Sequence, residues 1–148
     1  MKTLILALTL FITACNPFSN EMVIKHAHMI ETPKTFPAAA IFMTIKNNTN
    51  TDDRMIDFKT DRAGRVELHT MAMENDIMRM RRVEGYDIPS GDKHTLKHMA
   101  DHIMLFDMPS DFIEGEKFQG TAFFEKSGEV PVTITVKSRD KMHNHHDH

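Results

Sequence analysis

Tryptophan is absent from this 148-residue chain, and tyrosine and cysteine occur once each, at Tyr86 and Cys15. A single cysteine excludes a disulfide framework and a cysteine-rich zinc site. Because Cys15 stands where a lipid anchor is expected, thiol catalysis and a blue-copper centre with a buried thiolate are excluded as well. The apolar run from Leu4 to Ile12 is too short to span a bilayer as a permanent helix. An excess of one charge is also lacking: 18 Lys and Arg stand against 21 Asp and Glu, interspersed, for a net charge of −3. That balance argues against a nucleic-acid partner. No internal repeat, long charge run or linker breaks the stretch from Glu21 to Lys137, so one domain is expected. What abounds is sulfur and imidazole, with 13 methionines and 10 histidines. Thioether and imidazole together point toward copper.

The first segment reads as an address. Lys2 precedes the apolar run, which ends in Ile12-Thr13-Ala14-Cys15, small residues before a cysteine. This resembles the bacterial lipobox, whose cysteine is acylated and becomes the mature N-terminus. The expected organisation is a signal peptide over 1–14, a lipidated tether over 15–21, a domain over 22–137 and a disordered His-rich tail over 138–148. Several acyl chains hold a protein to a membrane far more firmly than one. The expected location is therefore the periplasmic side of a bacterial membrane.

Short alternations of apolar and polar residues fill the domain. Val130, Val132, Ile134 and Val136 point one way while Thr133, Thr135 and Lys137 point the other, which predicts a strand with one buried face. Similar strands are predicted over 39–46, with Ile41, Met43 and Ile45 inward, and over 54–60, with Ile56 and Phe58 inward and Met55 on the exposed face. Further strands fit 65–71, 77–83, 102–108 and 117–125, with turn clusters between them. Seven or more short strands at this spacing predict an all-β sandwich or barrel. No segment keeps a helical period.

Two of these strands carry chemistry. With Val66 and Leu68 turned to the core, His69 and Met71 share the opposite face; with Ile103 and Leu105 inward, His102 and Met104 project together. Met78 and Met80 repeat the pairing between them. Thioether is a soft, neutral ligand that competes poorly for zinc, calcium or magnesium, whereas Cu(I) takes both sulfur and imidazole nitrogen. Two histidines and two methionines add no negative charge and so favour Cu(I) over Cu(II). Core filling is the expected role of Met43 and Met29. His94, and His26 with His28 on the first strand, are more ordinary as surface histidines than as ligands.

His69, ten residues, Met80, twenty-one residues and then His102-Ile103-Met104 is the spacing of the periplasmic copper chaperone family written PCu(A)C, which the chain resembles over roughly residues 23–136. The flanking text agrees in Val66-Glu67-Leu68-His69, Met78-Arg79-Met80-Arg81 and Phe124-Glu125-Lys126-Ser127-Gly128-Glu129-Val130. The resemblance implies a cupredoxin-like Greek-key β-sandwich that binds one Cu(I) through His69, Met80, His102 and Met104. It also implies delivery of copper to a cytochrome oxidase subunit or another copper chaperone. The family's Pro-Gly-Gly-type turn is replaced here by Lys97-His98-Met99-Ala100-Asp101, which makes His98 and Met99 alternative ligands. Met71, Met73 and Met78 are auxiliary in the same sense.

These features predict a binding module without catalytic turnover: Glu67 and Arg79, near His69 and Met80, do not make the acid–base constellation that an enzyme needs. A lipoprotein that stores or detoxifies copper is the competing reading, supported by the methionine surplus and the tail. In that tail His143, His145, His146 and His148 crowd beside Asp140, Asp147 and Met142. Imidazoles with carboxylates suit Cu(II), so a second, harder-metal site is expected there.

Overall fold

Alternation governs the fold from one end to the other. In the computed structural model, which describes residues 20–139, Val132, Ile134 and Val136 are buried and Thr133 and Lys137 are exposed. The strands are β1 (Met22–Ile30), β2 (Ala38–Asn47), β3 (Asp53–Lys59), β4 (Arg65–Glu74), β5 (Ile77–Val83), β6 (Tyr86–Ile88), β7 (Lys93–Leu96), β8 (His102–Phe106), β9 (Lys117–Phe124) and β10 (Gly128–Lys137). No α-helix occurs among the described residues. Cys15 and the tail residues Met142, His143, His145, His146 and His148 lie outside the described residues. Ser138 and Arg139, placed with the tail by composition, instead close the domain. Ser138 is buried, and the Arg139 amide donates to the Glu31 carboxylate at 3.2 Å.

The strands pair in the order β5-β4-β8-β2-β1-β10-β9-β3-β6, with β7 added on β2. Neighbours in space are often distant in the chain, as where β8 enters between β4 and β2, and these crossovers make the sandwich. Only β1 and β10 run parallel among the pairs described. The β6 end of the path folds over its other half, because Tyr86 on β6 reaches the backbone of both β4 and β8. Met29, Ile41, Met43, Ile45, Phe58, Leu96, Ile103 and Ile134 fill the space between the layers.

One expected pattern is reversed. Met55 is fully buried and Ile56 is 42% exposed, opposite to the simple alternation. The register against β9 skips, with Met55 facing Phe124 and Asp57 facing Phe123. A bulge of one extra residue inverts the phase of the side chains before it. Phe58, after the bulge, points inward as expected.

Asp53 anchors the same corner. Its carboxylate accepts from the backbone of Arg54 at 2.7 Å, of Lys126 at 3.0 Å and of Ser127 at 2.9 Å, and from Ser127 Oγ at 2.6 Å. Burial opposes its ionisation, but these four bonds outweigh burial and hold the carboxyl below its usual range. A pKa depressed by folding gives stability that is present above the unfolded value and lost as pH falls through the folded one. Asp53→Asn should therefore cost about 2 to 3 kcal/mol at neutral pH. The gap from the native protein should narrow below about pH 4, as thermal melts across pH would show.

Candidate metal centre

A two-residue turn fixes the site. Asn75 and Asp76 both take positive φ, 49° and 62°, the conformation of a tight hairpin turn that Asn and Asp tolerate best after glycine. It sets Met73 opposite Met78, Met71 opposite Met80 and His69 opposite Arg82. On the other side of β4, His69 faces His102 and Glu67 faces Met104. Met104 in turn faces Ala40 on β2. Directly opposed residues share a face, so Met71, Met80, His69, His102 and Met104 all project from one side of the sheet.

That side holds a hollow of about 270 Å³, lined by Met71, Met80, His98, Met99, His102 and Met104 around Ala38, Ala40 and Phe42. The alanines leave the space. Phe42 walls it: Ile41, Phe42 and Met43 are all buried, so β2 is covered on both faces at this point. His98 and Met99 arrive from the loop between β7 and β8, closed by Lys97 N–H donating to Asp101 O at 2.8 Å. Met99 adopts φ 62°, a left-handed conformation that glycine takes without steric cost. The loop thus keeps a glycine-like turn without glycine and lifts a thioether to the rim.

The two histidines differ. His102 is only 5% exposed, and its Nδ1–H donates to Ala100 O at 2.8 Å. This fixes the tautomer and leaves the Nε2 lone pair for a ligand. Burial, with the neighbouring His69 adding to it, pushes the His102 imidazole below its ordinary pKa and keeps it neutral. His69 does not line the hollow. Its ring lies 6.1 Å from the His102 ring, centroid to centroid. Its Nε2 meets Glu67 Oε2 at 2.8 Å, while its buried Nδ1 has no hydrogen-bond partner. The bond to His69, against some burial and helped by Arg65, holds the Glu67 carboxyl below its usual range. The orphaned nitrogen suits a group that takes a metal.

Tyr86 lies beneath both histidines. Its hydroxyl accepts from His69 N–H at 3.0 Å and is within donating distance of His69 O at 2.8 Å and His102 O at 2.7 Å. The β4–β8 pairing ends at His69 and His102, and the hydroxyl fills the fork where the strands part. His94 stacks on the Tyr86 ring at 5.3 Å and is held by Asp101 at 2.8 Å.

Among the sequence-predicted residues, Met80, His102 and Met104 meet in the hollow with Met71, His98 and Met99. Met73 and Met78 face the same side farther along the hairpin, exposed and outside it. Phe42, Tyr86 and the Glu67 clasp on His69 were not anticipated. Only Glu67 carried a signal, since it shares a strand face with His69 two residues on. Among the described residues no three His, Cys, Asp or Glu side chains converge on a metal position, so a donor set here needs sulfur.

A family model described as "Putative lipoprotein LpqE-like" matches residues 22–136. "Uncharacterized protein RP573" of Rickettsia prowazekii (strain Madrid E) is 27% identical over 107 residues, 72% of this chain and 59% of that protein. This chain therefore spans less than two-thirds of that relative. The copper-bound PCuAC domain from PmoF2 superposes with a TM-score of 0.68 at 22% identity, over 80% of this chain and 93% of that one. The CuI-DR1885 solution structure from Deinococcus radiodurans gives 0.64 at 24% identity, over 84% and 83%. The fold is the cupredoxin-like sandwich of PCuAC domains.

Proposed function

The chain belongs to the LpqE-like family, and from that premise we propose that it is an extracytoplasmic copper metallochaperone. It binds one Cu(I) through His69, Met80, His102 and Met104 and hands it to a copper-accepting protein. The observation that carries this reading is the strand register that sets His69 opposite His102 and Met71 opposite Met80, with Met104 beside them. It gathers neutral nitrogen and sulfur donors and no thiolate. Such donors favour monovalent copper, and each bond can be exchanged singly. Met71, Met99 and His98 at the rim are positioned to replace one ligand as another leaves. That two structures with this fold, the copper-bound PCuAC domain from PmoF2 and CuI-DR1885, carry copper supports the same reading.

The acceptor we infer is a cytochrome oxidase subunit or a second copper chaperone, and the role is carriage, without catalysis. The lipobox-like Cys15 and the family description support an acylated protein at the periplasmic face of a membrane, which cell fractionation checks. The histidines and Met142 of the tail are a proposed Cu(II) site. X-ray absorption of the protein loaded with one Cu(I) should show mixed sulfur and nitrogen neighbours. Neighbours of oxygen and nitrogen alone would remove the assignment. Retention of several Cu(I) per chain against an acceptor would favour storage instead.

A further inference from the structure

A second hollow of about 270 Å³ adjoins the first, lined in part by His26, His28, Phe42, Leu96 and His98. Phe42 and His98 border both hollows. The second is built by an irregularity in β1, whose register against β2 shifts between Lys25 and His28. At the shift His26 takes φ 55°, and its carbonyl accepts from His28 Nδ1–H at 2.8 Å. That bond fixes the His28 tautomer and leaves its Nε2 lone pair for a ligand, the arrangement already seen at His102. The His28 ring rests against Phe42 at 5.6 Å, and Phe42 meets the His102 ring at 6.5 Å. Two imidazoles of the same tautomer thus flank one phenyl ring. The exposed His98, on the loop over both hollows, is common to them.

We propose that His28 and His98 form a second, two-coordinate station for Cu(I), through which the ion enters and leaves the site at His102. The inference rests on the copper reading above. Monovalent copper and silver accept two nitrogen ligands in a line, whereas zinc seeks four, so the station selects the monovalent ion. Passage is ligand exchange. Water displaces His28 Nε2 from the ion, His98 carries it past Phe42, and His102 Nε2 then displaces the water, so that two ligands are held throughout. The copper stays monovalent, both imidazoles stay neutral, and no electron or proton moves. The bulge is what makes this possible, because regular pairing would aim neither the His26 carbonyl nor the His28 ring this way.

The test is a titration of the full-length protein with Ag(I), a redox-inert stand-in for Cu(I), followed by ring 1H–15N spectra of the histidines. The first equivalent should move His69 and His102, and further Ag(I) should move His28 and His98. His28→Phe, which keeps a ring against Phe42, should abolish the second event and leave the first. It should also slow Cu(I) uptake by about tenfold, equivalent to about 1.4 kcal/mol in the barrier. His28→Gln repeats the comparison without an aromatic ring. Additional Ag(I) that moves the tail histidines while His28 stays still, or uptake by both variants at the native rate, overturns the station. His69 and His102 rings unmoved throughout would overturn the copper site instead, a separate failure.

Discussion

Met104→Leu is expected to lower Cu(I) affinity by more than about a hundredfold, because loss of a partner that only orients a ligand already costs about 10- to 100-fold. The exchange removes sulfur and little else. Leucine and methionine are close in volume, and such swaps cost less than about 1.5 kcal/mol even in a core. Met104 is only half-buried, facing Ala40 and Glu67 across its two neighbouring strands. Met80 is 48% exposed, so Met80→Leu should leave stability unchanged and weaken copper similarly. Met43→Leu, deep in the core, is the control and should leave affinity at the native value. Competition against a chromophoric Cu(I) chelator, with melts of each variant, checks all three. Native affinity in Met104→Leu would remove that sulfur from the donor set.

Tyr86→Phe is expected to destabilise the fold by about 2 to 3 kcal/mol, since a buried polar group left without its partner costs about 1 to 3 kcal/mol. The ring stays and no cavity opens, so the whole effect comes from one oxygen. That oxygen serves the amide and carbonyl of His69 and the carbonyl of His102. Burial, with Asp101 nearby, raises the phenol pKa above its usual value, so the hydroxyl stays protonated and remains a donor at working pH. Without it the fork between β4 and β8 fills with water or closes, and the two imidazoles lose their spacing. Cu(I) affinity should fall by about tenfold, as for other partners that orient ligands. A variant that melts early yet binds copper at native strength would show that the hydroxyl supports the sheet alone.

Much of this arrangement could be read from alternation. A period of two puts His69 with Met71 and His102 with Met104 whatever the rest of the chain does. The turn at Asn75 and Asp76 was visible as a polar cluster, and it sets the register that brings Met80 beside Met71. Local pattern failed where one residue was inserted, at Met55 and Ile56, because a bulge leaves no mark in composition. It failed again for β6 and β7, whose three and four residues are too few to show a period. The burial of His102 depends on Phe42, distant in the chain, and on the way the loop just before it folds back with His98 and Met99, neither of which a local period shows. The turning of His69 toward Glu67 is a choice of side-chain rotamer, and spacing specifies only the face.

Tyr86 has an optical consequence. With no tryptophan and a single tyrosine beside ten phenylalanines in the chain, the longest-wavelength absorption, and the emission excited there, arise from one ring. Its hydroxyl bonds the backbone of both histidines, and its face stacks on His94 with an interplanar angle of 19°. The native protein therefore carries an intrinsic probe at the foot of its site. Anything that moves β4 against β8 alters the hydrogen bonding of that phenol, and with it the yield of the protein's own fluorescence.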